Sequence, residues 1–345
     1  MNKGIAINGR FLCHRPTGMQ RYAIEVSRRF GQGADCIRPA AQLMGVKGHA
    51  WEQFYLPTAT RGRLLWSPNN TGPLAVRRQI CTFHDLIPLE HPEWFNRRFA
   101  SWYGWLLPRL ASWTSHIIAI SEFTKQRIVE LCRVPAARIT VIPNGVDARF
   151  HPQPAEAIEH ARTELALPSA AYLLYVGSLE PRKNLAGLLA AWRRVHQSIP
   201  ADVWLVVAGA KGKAGVFAQA GLGEAPPRVH FTGYVDDRLL PALYSGALAS
   251  VYPSLYEGFG LPPLEAMACG TPAITSNTTS LPEATGGAAL LVDPRDPGAI
   301  ADAIEAVTSD GGLRASLRQR GLAWAGQFSW DHCARRTWEV LASHA

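Results

Sequence analysis

The chain has 345 residues, of which 47% are hydrophobic and 18% charged, with a net charge of +8. That length is about twice a typical domain, so two domains are expected, and the balance excludes disordered, collagen-like and coiled-coil chains. No stretch approaches the roughly 18 uninterrupted apolar residues of a spanning helix, and six scattered cysteines exclude a zinc ribbon or a CxxC redox centre.

The charge is uneven. Residues 1–150 hold 20 Lys and Arg against 9 Asp and Glu, a net +11, while residues 151–345 carry a net −3. A basic first half is expected to face something anionic: nucleic acid, a phosphate-bearing substrate or an acidic membrane surface. A merely solvated basic surface is the competing reading.

The chain opens on Met1-Asn2-Lys3-Gly4-Ile5-Ala6-Ile7, which reads as a strand rather than a signal peptide and implies a cytoplasmic protein. Short β-branched runs then alternate with helical stretches, the pattern of parallel sheets covered on both faces. In the first half, strands are expected at Gly4–Asn8, Leu64–Ser67, Gln79–Phe83, Ile117–Ile120 and Ile139–Ile142, with helices at Gly18–Phe30 and Glu122–Leu131. Pro143-Asn144-Gly145-Val146-Asp147 and Pro152-Gln153-Pro154 then break the pattern. The second half resumes with strands at Tyr172–Val176, Val203–Ala208, Val229–Thr232, Ala249–Tyr252, Ala273–Thr275 and Leu290–Val292. Its helices are expected at Leu185–Gln197, Leu239–Ala247, Pro262–Cys269, Pro297–Thr308 and Trp330–Ser343. Two open α/β sheets bind ligands beyond the carboxyl ends of their strands.

Three strand-to-helix loops carry the chemistry. In the first, Tyr252 leads through Glu257, Gly258, Phe259 and Gly260 into a helix opening on Leu261-Pro262-Pro263 and bearing Glu265. The glycines let backbone approach a ligand, amides at a helix start favour an anion, and the two carboxylates suit sugar hydroxyls. In the second, Val176-Gly177-Ser178 runs to Arg182-Lys183-Asn184. An Arg–Lys pair at a helix start opposes the helix dipole, so a phosphate partner is the better explanation. In the third, His84 follows the Gln79–Phe83 strand, where it could accept a proton or a hydroxyl hydrogen bond near neutral pH, or simply pack. The loop Arg15-Pro16-Thr17-Gly18 and Arg21, after the first strand, is a further anion or acceptor candidate. Neither an Asp-x-Asp metal motif nor a GxxxxGK phosphate loop is present. Gly258-x-Gly260 meets Pro263 where the dinucleotide fingerprint needs glycine.

Together, Glu257…Glu265 within EGFGLPPLEAMACGTP, the Gly177…Arg182-Lys183-Asn184 loop, Ile142-Pro143-Asn144-Gly145-Val146-Asp147 and Ile120-Ser121-Glu122-Phe123-Thr124 resemble the family 4 glycosyltransferases. These are retaining sugar-nucleotide enzymes of GT-B architecture: α/β, two Rossmann-like domains facing each other across a cleft. The resemblance implies an acceptor-binding domain at 1–150, a donor-binding domain at 151–328, and a helix at 329–345 crossing back to the first. It implies that Lys183 and Arg182 hold the donor diphosphate, Glu257 the transferred sugar, the Gly258–Leu261 backbone both, and Glu265 the ribose. Gly18, Gly177, Ser178, Tyr234 and Val235 complete the implied donor site. Thr17, Gly18, Arg21, His84, Asp85 and Asn144 form the implied acceptor side, with His84 beside the reacting sugar. Many members place arginine where this chain has Ser178, so Arg182 is expected to supply that charge. No metal and no cofactor is implied; the donor is a nucleotide sugar, with GDP-mannose preferred from the Glu-Pro-Arg-Lys-Asn loop. An epimerase or phosphorylase-like enzyme on the same architecture and a nucleic-acid-binding protein rank behind. No nucleic acid is therefore expected as a partner.

Between Trp94 and Trp113, Phe95, Phe99, Trp102 and Leu106 share a helical face with arginines interspersed. That segment either meets a lipid-linked acceptor or membrane interface, or packs on the first sheet.

Overall fold

A computed structural model describes residues 4–13, 18–43, 45–178, 180–209 and 224–345. The chain divides into two units, Met1–Gly145 with Phe328–Ala345, and Val146–Gln327. The break falls five residues before the Phe150 boundary expected from sequence. Phe150 is buried and lies 6.1 Å, centroid to centroid, from Tyr244, so the proline-rich segment is anchored in the second unit.

In the first unit six strands, β1 (Ile5–Asn8), β2 (Asp35–Ile37), β3 (Leu64–Ser67), β4 (Gln79–Phe83), β5 (His116–Ala119) and β6 (Ile139–Val141), form a parallel sheet in the order β2-β1-β3-β4-β5-β6. β2, only three residues long and partly exposed, was not foreseen from sequence because Asp35-Cys36-Ile37 offers no alternation to read. The Arg97–Trp113 helix, with Leu106, Leu107, Leu110 and Ala111 buried, packs beside β4 and β5. The Trp330–His344 helix, capped by Ser329 accepting from the His332 amide at 3.1 Å, also belongs to this unit. Its buried positions Trp330, Cys333, Ala334, Thr337 and Leu341 repeat at helical spacing. Phe30 and Trp338 pack at 5.1 Å, and Arg29 pairs with Asp331 at 2.5 Å, joining it to the Gly18–Arg28 helix.

In the second unit β7 (Tyr172–Val176), β8 (Trp204–Ala208), β9 (Val229–Gly233), β10 (Ala249–Tyr252), β11 (Ala273–Ser276) and β12 (Leu290–Val292) form a parallel sheet ordered β12-β11-β10-β7-β8-β9. Leu188, Leu189, Trp192 and Val195 of the Leu185–Val195 helix share one core with Ile300, Ile304 and Val307 of the Pro297–Ser309 helix. The chain proceeds outward from β7 to β9 and then returns to lay β10 on β7's other side. That reversal opens a crevice where the β7 and β10 loops part.

Candidate functional site

Both motif-bearing loops of the second unit leave the sheet at this crevice. After β7, residues Pro181–Lys183 form a 3-10 turn, and Asn184 caps the Leu185–Val195 helix by accepting from the Gly187 amide at 3.2 Å. The cations therefore stand in a turn ahead of the helix rather than in its first turn, which corrects the sequence reading and spares them the helix-dipole penalty. Asn184 adopts φ +56° and donates to the carbonyls of Pro253 (2.9 Å) and Pro294 (2.7 Å). One side chain so ties together the loops after β7, β10 and β12.

After β10 the loop turns Glu257 inward. Lys183 Nζ lies 2.6 Å from Glu257 Oε1 and Arg182 Nη1 3.0 Å from Glu257 Oε2. Lys183 also donates to the Tyr252 hydroxyl, which donates to Glu257 Oε1 at 2.7 Å. Ser254 Oγ is 2.8 Å from the same carboxylate oxygen and 2.8 Å from the Arg182 carbonyl. Ser280 Oγ donates to the Glu257 and Phe259 carbonyls, fixing the loop from beneath. Tyr252, Ser254, Asn184 and Ser280 are functional supports that sequence reasoning missed, because no spacing rule marks a hydroxyl or an amide whose partner lies in another loop, 21 residues away for Ser280 and 69 or more for the others.

Burial pushes the Glu257 carboxyl up, but Lys183 and Arg182 more than reverse this and hold it at about 2. Burial pushes the Lys183 ammonium down, and Glu257 opposes that shift. Glu257 is thus a carboxylate throughout the physiological range. Outside this core Arg182 Nε pairs with Glu180 at 2.6 Å, and Ser178 Oγ donates to Glu180 at 2.9 Å. Glu180 is half exposed, so this outer pair contributes little and can be exchanged for a stronger anion. Two of the three Lys183 protons are committed to Tyr252 and Glu257, leaving one for a ligand.

Gly260 caps the Leu261–Ala268 helix at φ +121°, and a Cβ there would meet Leu281 Cδ2 at 2.7 Å. Because the helix begins at Leu261, Pro262 and Pro263 remove two of its first three amides. The free-amide anion site expected from sequence is correspondingly reduced. Glu265 is buried on the second turn of this helix. Gly177 directly follows β7. Tyr234 and Val235 follow β9, two strands from β7 at the sheet edge, Tyr234 exposed and Val235 buried.

The predicted acceptor residues lie in the first unit, where Thr17 falls outside the described residues. Gly18 and Arg21 occupy the first turn of the Gly18–Arg28 helix. His84 is 4% exposed, packed edge-on to Tyr22 at 4.8 Å, with Nε2 2.7 Å from the Pro68 carbonyl. Burial lowers its pKa to about 4, which favours the packed or hydroxyl-accepting reading of His84 over proton uptake near neutrality. Neutral His84 donates from Nε2 to Pro68 and keeps Nδ1 as an acceptor. Asp85 Oδ1 accepts from the Ile87 amide at 3.3 Å, and Asn144 is buried with its Oδ1 unpartnered.

A doubly wound sheet with two cations and a carboxylate interlocked at its switch point suits an anionic, hydroxyl-bearing ligand. The family description Glycosyl transferases group 1 matches residues 158–324, and Glycosyltransferase Family 4 matches residues 62–150. O-antigen chain mannosyltransferase B of Escherichia coli is 36% identical over 273 residues, covering 78% of this chain and 71% of that protein. The chain belongs to the group 1 glycosyltransferases. As a member it is a hexosyltransferase. The serotype-specific mannosyltransferase WbdA of Escherichia coli is 32% identical over 74% of this chain, which spans only 32% of WbdA's length. The glycosyltransferase fold matches HepE of Anabaena, solved with UDP-glucose, at TM-score 0.75 and 20% identity, covering 98% and 99% of the two chains. It also matches WaaG, a glycosyltransferase of lipopolysaccharide biosynthesis, at TM-score 0.74 and 15% identity over 98% and 99%. The architecture is GT-B.

Proposed function

We propose that this glycosyltransferase moves mannose from GDP-mannose to a saccharide or lipid-linked saccharide acceptor during surface polysaccharide assembly, with retention at the anomeric carbon. The convergence of Arg182 and Lys183 with Glu257 at the β7/β10 crevice supports this reading most strongly. The mannosyltransferase names of the relatives support the choice of sugar.

Breaking a glycosyl–phosphate bond leaves a cation-like sugar and a doubly charged diphosphate. Lys183 offers its remaining proton to a diphosphate oxygen, and Arg182 exchanges Glu180 for another. Charge is then stabilised where it grows. Glu257 keeps both cations in position and faces the transferred sugar's hydroxyls. Retention follows when the acceptor hydroxyl attacks from the leaving-group side and gives its proton to the departing phosphate oxygen. With Glu180 displaced, Arg182, Lys183 and Glu257 together leave one net positive charge facing the diphosphate, and turnover is read as metal-independent.

The Arg97–Trp113 helix buries one side, yet Phe99, Trp105 and Trp113 are exposed, with Arg109 over Trp105 at 4.7 Å and Arg77 over Trp113 at 4.4 Å. Those aromatic–guanidinium pairs support peripheral docking on an acidic membrane as the route to a lipid-linked acceptor. No helix among the described residues is long and apolar enough to cross one.

Nucleotide release from GDP-mannose, UDP-glucose and dTDP-rhamnose, with and without EDTA, tests the proposal. GDP-mannose should turn over fastest and EDTA should leave its rate unchanged. A dead reaction restored by manganese would contradict the metal-free part, and faster turnover of UDP-glucose the donor.

A further inference from the structure

β11 and the loop after it lie directly against the segment that carries Glu257. Hydroxyls on that side hold the backbone of β10 and its loop at intervals. Thr275 Oγ1 donates to the Tyr252 carbonyl at 2.9 Å and Ser276 Oγ to the Ser254 carbonyl at 2.6 Å. Ser280 Oγ stands 2.8 Å from the Glu257 carbonyl and 2.7 Å from that of Phe259.

Thr279 belongs to this row and is the anomaly in it. Its φ is +59°, in the left-handed region, and among the described residues it is the one β-branched side chain found there. The other positive-φ residues that are not glycine are asparagine, arginine or alanine. A β-branched residue is crowded by its own backbone in that region, and such a conformation persists only where the surroundings over-determine it. Glycine would adopt it freely. The turn alone therefore does not call for threonine, and the side chain must account for it.

Two hydrogen bonds show what the side chain does. Oγ1 donates to the Thr278 carbonyl at 2.7 Å, which commits its one proton and leaves lone pairs for the Glu257 amide 3.3 Å away. Among the described residues that hydroxyl is the acceptor the Glu257 amide has, and Glu257 is buried. The carboxylate is held by Lys183, Arg182, Tyr252 and Ser254, whereas the main chain of the same residue is held by Thr279 at its amide and Ser280 at its carbonyl.

We propose that Thr279 is a positioning residue for sugar transfer: its hydroxyl fixes the Glu257 amide, and with it the aim of the carboxylate between the two cations and the transferred sugar. The inference rests on the reading of Glu257 given above. The glycine that would relieve the backbone cannot supply the hydroxyl, so stability and activity are opposed at this position.

Thr279→Gly, Thr279→Ala and Thr279→Ser test it on the whole chain. The readouts are thermal melts, initial rates with GDP-mannose, UDP-glucose and dTDP-rhamnose, and calorimetric titration with the nucleoside diphosphate of the donor that the wild type turns over fastest. Thr279→Gly should melt at or above the wild-type temperature yet lose about tenfold in kcat, the scale of one hydrogen bond. Thr279→Ala should lose as much, while Thr279→Ser, which restores the hydroxyl, should stay within about threefold of the wild type. Affinity for the diphosphate, held by Arg182 and Lys183, should be unchanged in all three, so that the loss falls on kcat alone. Wild-type kcat in Thr279→Gly and Thr279→Ala, a rate in Thr279→Ser as low as in Thr279→Ala, or a kcat loss matched by lost diphosphate affinity would overturn it. Failure of the donor reading shows instead in the wild type, as faster turnover of UDP-glucose or dTDP-rhamnose, and leaves the comparison among variants intact.

Discussion

Replacing Lys183 with alanine is expected to lower kcat by about 10²–10³-fold, the scale seen when one preorganised donor to a developing anion is removed. The substitution takes away the ammonium that bridges Tyr252 and Glu257 and offers its third proton to the crevice. Glu257 would keep Arg182, Tyr252 and Ser254 as partners, so the fold should survive, with some loss of stability from the half-vacated pair. Arg182→Ala should be milder, because its guanidinium is more exposed and divides its contacts between Glu257 and the solvent-facing Glu180. Initial rates with saturating donor, alongside thermal melts, read both effects. Wild-type kcat in Lys183→Ala would remove that residue from the mechanism.

Glu257→Gln should affect stability more than shape. The amide is nearly isosteric, but Lys183 then has no carboxylate in contact and Arg182 only the exposed Glu180, and breaking such a buried pair costs about 3–5 kcal/mol. Glu257 is what opposes the burial-driven fall of the Lys183 pKa, so its loss should carry that pKa lower still. The folded state would then bind fewer protons than the unfolded chain between the lowered value and the ordinary lysine value. Stability of Glu257→Gln should therefore rise as pH increases through that window, more steeply than in the wild type. Urea melts at pH 7 and pH 9.5 measure this. Equal stability of variant and wild type at pH 7 would mean the carboxylate does not hold the two cations.

The strands bearing the motifs were legible because each is a short, largely apolar run ended by glycine or proline; β7 and β10 lie where the sequence reads them. The pairing of Arg182 and Lys183 with Glu257 was legible only as two loops that each suit a phosphate. Their mutual contact is set by strand order, which brings β10 back against β7 after β8 and β9, and no local pattern encodes that return. The same gap explains why Tyr252 was read as the end of a strand and not as the hydroxyl between Lys183 and Glu257. The alternatives for His84 could not be separated from sequence for a different reason: its titration depends on burial beside Tyr22, whose position comes from the Gly18–Arg28 helix. Thr279 and the Glu257 amide, 22 residues apart, were invisible as a pair.

The account depends on the β7 and β10 loops gripping a diphosphate with Arg182 and Lys183. Calorimetric titration with GDP and with guanosine isolates that grip, since the two ligands differ only in the phosphates. GDP should bind wild-type protein at least about 100-fold more tightly, as two charge-assisted contacts of about 1.5–3 kcal/mol each would give, and the ratio should collapse in Lys183→Ala. Equal affinities in the wild type, or an undiminished ratio in the variant, would contradict it.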